Sequence, residues 1–326
     1  MLSILLLSQK GEGYETIDRL IKEDNYVKYW VEDTQKVFDQ SQGTKVNRYD
    51  QHIETSDIVI SLNPRYGRIC EEVRRGGRMA LGGDLQGFLV DNEVYRANVL
   101  KFLDIHDEEV VDQPFSTILC GWFNGNQWLS TYVVQHYNRL LDGDRGPAVG
   151  NMGYVALRED SRINELAEML RIANYRGFFG VEVFLVGDQL YLDHLITTPC
   201  EGLIAAIQEI SGTSLTNLIF AVASGKQLPS CSSKSYGISV GLRQLGIDRK
   251  LNDLETPAKK HFWPSCDSLI QGYVSAKGES IREARRRVYR TVANITTIDT
   301  VYRKDIGVNS IWDWKEGANA AVPGKE

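Results

Sequence analysis

The chain has 326 residues, of which 42% are hydrophobic and 25% charged, and its 37 basic and 43 acidic side chains leave a net charge of −6. That length is enough for two or three domains of roughly 100–200 residues each, and the acidic balance gives no general attraction to nucleic acid or anionic lipid. The apolar run Leu2 to Leu7 is too short for a membrane span of roughly 20 residues, and it lacks the basic start and cleavage site of a secretory signal. Five widely spaced cysteines with no Cys-x-x-Cys pair suggest neither a disulfide framework nor a zinc site. The expected setting is a reducing cytoplasm, with no membrane and no nucleic-acid partner.

Taken in order, Leu2 to Leu7 reads as a buried strand, Tyr14 to Lys22 as a helix, and Tyr26 to Val31 and Asp57 to Leu62 as further strands. This is the rhythm of a parallel sheet covered by helices. The turn Ser8-Gln9-Lys10-Gly11-Glu12-Gly13 either presents amides to an anion at a helix start or is a tight turn that needs glycine. Without a full Gly-x-Gly-x-x-Gly, the tight turn is the preferred reading. Gly76-Gly77 and Gly82-Gly83 flank the apolar Met79 to Leu81, and a helix follows around Asn92 to Leu103.

From Phe115 the pattern changes to hairpins. Ile118 to Phe123 and Trp128 to Val134 flank Asn124-Gly125-Asn126, a strong hairpin signal. Ser161 caps a helix through Ala173, with Ile163, Leu166, Leu170 and Ala173 on one face. A second hairpin pairs Gly180 to Val186 with Gln189 to Leu195 through Gly187-Asp188. A helical stretch runs from Leu203 to Ala223, and Pro229 to Ser235 reads as a linker. Leu269 to Ser275 is a strand, Lys277-Gly278 a turn, Ser280 to Asn294 a helix and Tyr302 to Gly307 a closing segment, before a loose tail after Trp314. Arg285-Arg286-Arg287 reads as a solvated face, since Ala284, Val288 and Val292 point inward.

One stretch is more specific than the rest. Asp142-Gly143-Asp144-Arg145-Gly146-Pro147-Ala148-Val149-Gly150-Asn151-Met152-Gly153 resembles the substrate loop of phosphoribosylamine–glycine ligase (glycinamide ribonucleotide synthetase), Asp-x-Gly-Pro-Asn-Thr-Gly-Gly-Met-Gly. Gly272 to Gly278, Ala284-Arg285 with Tyr289, and Tyr302 to Gly307 are similar to that family's C-terminal part, in the same order. The resemblance implies the ATP-grasp superfamily. The expected fold class is α/β: an N-terminal parallel-sheet domain over 1–84, a reduced ATP-grasp core over 85–228, and a small α+β C-terminal domain over 229–326.

The resemblance implies a carboxylate–amine ligase in which ATP and Mg2+ activate a small acid as an acyl phosphate. It places Asp144, Arg145, Gly146, Pro147, Asn151, Met152 and Gly153 on substrate. It also shows two departures. The family inserts a subdomain with a glycine-rich loop and a phosphate-binding lysine between the helix matching Asn92 to Leu103 and the strand matching Ile118 to Phe123, where this chain has only Asp104 to Pro114. At the family's metal strand an acid survives as Asp193, but the amide ligand has become Leu195 and the arginine Thr197.

If Gly187-Asp188 is a two-residue loop, Val186 faces Gln189 and Glu182 falls directly opposite Asp193. Two carboxylates so placed repel unless a cation or proton lies between them, which makes Glu182 and Asp193 the metal candidates. The alternative is that both face solvent, where screening makes the repulsion cheap. His194 is expected on the opposite strand face, and the five histidines occur singly, without ligand spacing. Two functions stay open: a glycinamide-ribonucleotide-synthetase-like ligase, or a non-catalytic paralogue that binds a small phosphorylated ligand or pairs with a full-length ligase. A homo- or hetero-oligomer fits either.

Overall fold

The computed structural model describes residues 1–33, 43–85, 93–106, 115–158, 162–186, 189–228, 235–244, 258–265, 270–295 and 300–308. The Gly187-Asp188 loop, most of the Pro229 to Ser235 linker and the tail after Trp314 lie outside the described residues.

The first unit is a parallel sheet of β1 (Ser3–Ser8), β2 (Tyr26–Val31), β3 (Thr44–Lys45), β4 (Ile58–Ser61) and β5 (Met79–Leu81), in the order β3-β2-β1-β4-β5. Helix α1 (Tyr14–Lys22) joins β1 to β2, and α2 (Gly67–Arg75) precedes β5. Successive β1 side chains point to opposite faces, as the strand period requires. Ile4 and Leu6 join a cluster with Ile17 and Leu20, while Leu5 and Leu7 join one with Cys70 and Val73. Burial on both faces explains why β1 is a continuous apolar run.

The second unit is a ten-stranded sheet that includes β6 (Ile105–His106), β7 (Phe115–Phe123), β8 (Trp128–Leu141), β9 (Arg145–Arg158), β10 (Gly177–Val186), β11 (Gln189–Ile196), β12 (Tyr236–Gln244), β13 (Phe262–Pro264) and β14 (Ile270–Gly278). Its order is β13-β14-β12-β9-β8-β7-β10-β11-β6, with β15 (Thr300–Val301) paired to β12. The segment from 229 onward therefore adds β12 and β14 to the same sheet as β7 to β11.

Helices α5 (Glu201–Ile210) and α6 (Leu215–Ser224) stand where one helical stretch was expected, bent by 95°. Gly212 turns the chain at φ 73°, and Ser214 caps α6 by accepting from the Asn217 amide at 3.2 Å. Both helices are buried in a cluster shared by the two sheets, together with Ile4, Ile60, Cys120 and Trp122. Among the described residues no single helix is long and apolar enough to cross a membrane. The opposite face of the large sheet is covered by α3 (Glu93–Leu103), α4 (Ala167–Ile172) and α7 (Ile281–Ile295) through Val99, Leu103, Leu170, Val288 and Val292.

The connection from α3 to β7 is short. Strand β6 follows α3 at once and pairs parallel with β11, and β7 begins at Phe115. Of the Asp104 to Pro114 connection, residues 107–114 lie outside the described residues; their number is less than two strands of average length, about 5–6 residues each.

Candidate functional site

A polar line crosses the apolar face of the large sheet beneath α5. The strand register sets Ser116 opposite His136, His136 opposite Tyr154, and Tyr154 opposite Ser239. Glu182 lies opposite Ile118, two residues from Ser116 and so on the same face. Glu182 is 3% exposed, and an unpaired charge at that depth would be costly.

It is not unpaired. Its Oε1 accepts from Ser116 Oγ and lies 2.8 Å from His136 Nδ1, while its Oε2 lies 3.2 Å from His194 Nε2. Burial opposes ionisation of Glu182, but the His136 bond and charge, with Ser116 and His194, hold its carboxyl below the usual range. The hydrogen bond to Asp193 and the Glu182 charge raise His194 above its ordinary value, against the burial that lowers it.

The His136 ring stacks on Tyr154 at 4.6 Å with planes 6° apart, and its Nε2 is buried with no partner among the described residues. Tyr154 donates to Asn151 Oδ1 at 2.5 Å, and its hydroxyl lies 2.9 Å from Cys200 Sγ. Burial pushes the Cys200 thiol up to about 12, so it is protonated at neutral pH and unsuited to nucleophilic work.

The β10–β11 register corrects the expected pairing. Val186 does face Gln189, but a bulge intervenes, so that Val183 pairs with Leu192 and Glu182 with His194. Asp193 is the extra residue. A bulge of this kind re-aims side chains, and it brings His194 to the Glu182 face, where strict alternation would send it to the other. Asp193 Oδ2 sits 3.2 Å from His194 Nδ1, and ligand atoms of Glu182, Asp193 and His194 all lie within 4.8 Å of one another. The signal for this lay in the sequence as two adjacent polar residues, Asp193-His194, between Leu192 and Leu195.

This donor set does not suit magnesium. Mg2+ demands near-octahedral oxygen ligands and keeps its waters, whereas here both oxygens of the buried acid face imidazole nitrogens and the residue opposite is a histidine.

The residues expected on substrate divide between two places. Asp144 sits in the β8–β9 turn and pairs at 2.7 Å with the fully buried Arg303, which also pairs with Asp305 at 2.6 Å and lies 5.0 Å from the Tyr137 ring centre. Asp305 accepts from the Gly143 amide at 2.8 Å, and Asp142 accepts from the Lys304 amide at 2.7 Å. Arg145, Gly146 and Pro147 are exposed on the strand that leaves this turn. Met152 and Gly153 are buried in β9, where a Cβ at 153 would lie 2.8 Å from the Ser239 carbonyl oxygen. Asn151 alone of the seven reaches the Tyr154–His136–Glu182 line.

A cavity of about 40 Å3 opens between the two units. Gly13, Ser61, Leu62 and Gly82 line it from the carboxyl ends of β1, β4 and β5, and Trp122, Phe178 and Thr197 to Pro199 line it from the large sheet. This is where doubly wound sheets bind ligands, at the point where strand order reverses. Glu15 lines it too, 1% exposed, and burial and then the neighbouring Glu201 push its carboxyl well above the usual range.

The glycine turn beside the cavity already holds an acid. The Gln9 and Lys10 amides donate to Glu12 Oε2, each at 2.9 Å, and Ser8 Oγ donates to it at 2.6 Å. Burial opposes that charge, yet the bonds from Ser8 and Lys10 keep the Glu12 carboxyl below the usual range. Gly13 is required at φ 82°, where a Cβ would meet Leu62 at 2.5 Å. This is the tight-turn reading, with the chain's own carboxylate in the place of an anion.

No family model and no curated protein matches the sequence. Solved structures do match. Phosphoribosylamine–glycine ligase from Thermotoga maritima aligns with TM-score 0.66 at 13% identity, over 93% of this chain and 100% of the other. The phosphoribosylaminoimidazole carboxylase ATPase subunit from Aquifex aeolicus aligns with TM-score 0.59 at 14% identity, over 90% and 100%. The biotin carboxylase domain of a single-chain bacterial carboxylase aligns with TM-score 0.62 at 9% identity, over 92% and 90%. The fold is that of the ATP-grasp enzymes. The α/β class and the parallel N-terminal sheet agree with the sequence reading.

Proposed function

We propose that this chain is a reduced ATP-grasp protein of the carboxylate–amine ligase kind, which holds a small ligand between its two units and does not activate a carboxylate with ATP unaided. The observation that carries this reading is the passage from β6 to β7 through residues 107–114 alone. Acyl-phosphate chemistry needs water kept out, and the lid and phosphate lysine implied by the resemblance have no segment of chain to form them there. The donor set around Glu182, ill-suited to Mg2+, supports the same reading.

A second reading keeps the ligase activity, with a lid supplied by another subunit of a homo- or hetero-oligomer. The cavity at the sheet switch point and the anchored β8–β9 turn favour it. Under that reading the acid and amine are a small amino acid and a phosphorylated amine, as the resemblance implies. The cytoplasmic setting goes with either reading and is supported by Cys70, Cys120 and Cys200, all free thiols.

The test is phosphate release from Mg-ATP by the purified chain, with glycine and phosphoribosylamine supplied together. No release above the protein-free control is expected. Substrate-dependent turnover would establish the ligase reading instead.

A further inference from the structure

We propose that the cavity between the two units takes a small amino alcohol, its ammonium group against Glu15 and its hydroxyl against Trp122 Nε1. The assignment rests on the reading that the space between the units holds a small ligand, and it gives that ligand a chemical class. Two buried polar atoms on residues that line the cavity have no hydrogen-bond partner among the described residues. One is Glu15 Oε2, which accepts when ionised, and the other is Trp122 Nε1, which can only donate. Glu15 is 1% exposed and Trp122 5% exposed. A buried donor or acceptor left unpaired is costly, and native folds avoid the cost with a water, an ion or a ligand group. An acceptor and a donor on the lining of one space suit a ligand that carries both kinds of group.

Charge decides which donor faces Glu15. Its Oε1 accepts from Thr16 Oγ1 at 3.2 Å, and the charged group that acts on it is Glu201, a second acid, in the first turn of α5. With two acids and no cation among its near neighbours in the described residues, an ammonium group is the donor that Coulomb attraction favours. A phosphate is not the group that belongs here, because the Gln9 and Lys10 amides beside the cavity are already taken by Glu12 Oε2.

Size and wall chemistry narrow the ligand further. One water needs roughly 10–15 Å3 of cavity, so a space of about 40 Å3 holds about three to four non-hydrogen atoms, the size of ethanolamine. Ile60, Leu62, Phe178 and Ile204 give its methylenes an apolar wall. The cavity is also separate from the Glu182 line. Trp122 pairs with Phe178 across β7 and β10, and Phe178 lies four residues before Glu182, or about 13 Å along the strand.

The experiment is heteronuclear NMR of the full-length protein with isotope-labelled tryptophan, titrated with ethanolamine, propylamine and propanol, which carry both groups, the ammonium alone and the hydroxyl alone. Ethanolamine should move the Trp122 indole N–H signal downfield and saturably, with a millimolar dissociation constant in keeping with so small a ligand. Propylamine and propanol should each bind about tenfold more weakly or worse, since each leaves one buried group unpaired. Glu15→Gln keeps the shape of the site and should weaken ethanolamine by about tenfold or more while leaving propanol unchanged. Undiminished ethanolamine binding by Glu15→Gln, or either analogue binding as tightly as ethanolamine, would overturn the amino-alcohol assignment and leave the cavity a ligand site. No shift with any of the three would overturn both the assignment and the small-ligand reading, and phosphate release from Mg-ATP tests the ATP chemistry separately.

Discussion

Two buried charges, Glu182 on the large sheet and Arg303 packed against it, are handled in opposite ways. Arg303 is fully buried and closed in by Asp144, Asp305 and the Tyr137 ring, which together lock the β8–β9 turn to the segment after β15. Glu182 is just as deep, but its partners lead outward, from Ser116 and His136 to the half-exposed His194. A closed charge network fixes architecture, whereas one that opens to solvent through a titratable ring can exchange protons or ions. The stretch that most resembles a substrate loop is thus held by the closed network. The open network instead joins a buried carboxylate to a titratable ring at the surface.

The sharpest way to break this comparison is to remove Arg303. Arg303→Ala empties a fully buried site and leaves Asp144 and Asp305, 22% and 23% exposed, without their cation, so a loss of about 2–5 kcal/mol is expected in urea unfolding. A loss below about 1 kcal/mol would mean that the network is not closed.

Glu15 is a third buried acid, and among the described residues its near neighbours are Thr16 and Glu201 rather than a cation. Its raised value means that the folded protein holds a proton which the unfolded chain releases near the ordinary 4.5. Its contribution is therefore complete below that pH and is lost as pH rises through the raised value. Glu15→Gln should flatten this fall in a Tm-against-pH series and raise stability at neutral pH. An unchanged pH profile would place the proton elsewhere.

Glu182→Gln should cost about 1–3 kcal/mol, because the buried His136 loses its charged partner. Its sign with pH is opposite to that of Glu15. A lowered carboxyl contributes stability above the ordinary 4.5 and loses it as pH falls through the lowered value, so the acid limb of the wild-type Tm curve should flatten in this variant. The smallest effect belongs to His194→Ala, within about 0.5 kcal/mol as for an exposed site. A large loss there would show that the open network is structural after all.

Much of the fold could be read in advance where local pattern and tertiary burial agree. Strands β1, β2 and β5 and helix α1 follow the apolar runs almost residue for residue. Strand β9 did not stand out, because its glycines and proline read as a loop while the run from Met152 to Leu157 carries it into the sheet. Strand β12 carries a weak local signal beside the linker, although Ile238, Val240 and Leu242 alternate; Gly237 lets α5 approach so closely that a Cβ there would meet the Ala206 carbonyl oxygen at 2.1 Å. At the candidate site, hairpin spacing points to Glu182 and Asp193 as a facing pair, whereas nothing local in the sequence singles out His194 or His136. A one-residue bulge shifts every later side chain to the other face, and His136 acquires its partner only through a register spanning three strands.

An ATP-grasp fold without a nucleotide lid should hold Mg-ATP poorly, which calorimetric titration of the chain measures. Charge-assisted bonds of the kind a lid supplies are worth roughly 1.5–3 kcal/mol each, so losing two or three costs several powers of ten in affinity. Millimolar binding or weaker is expected. A low-micromolar dissociation constant for the isolated chain would contradict it, because another part of the protein would then be gripping the triphosphate.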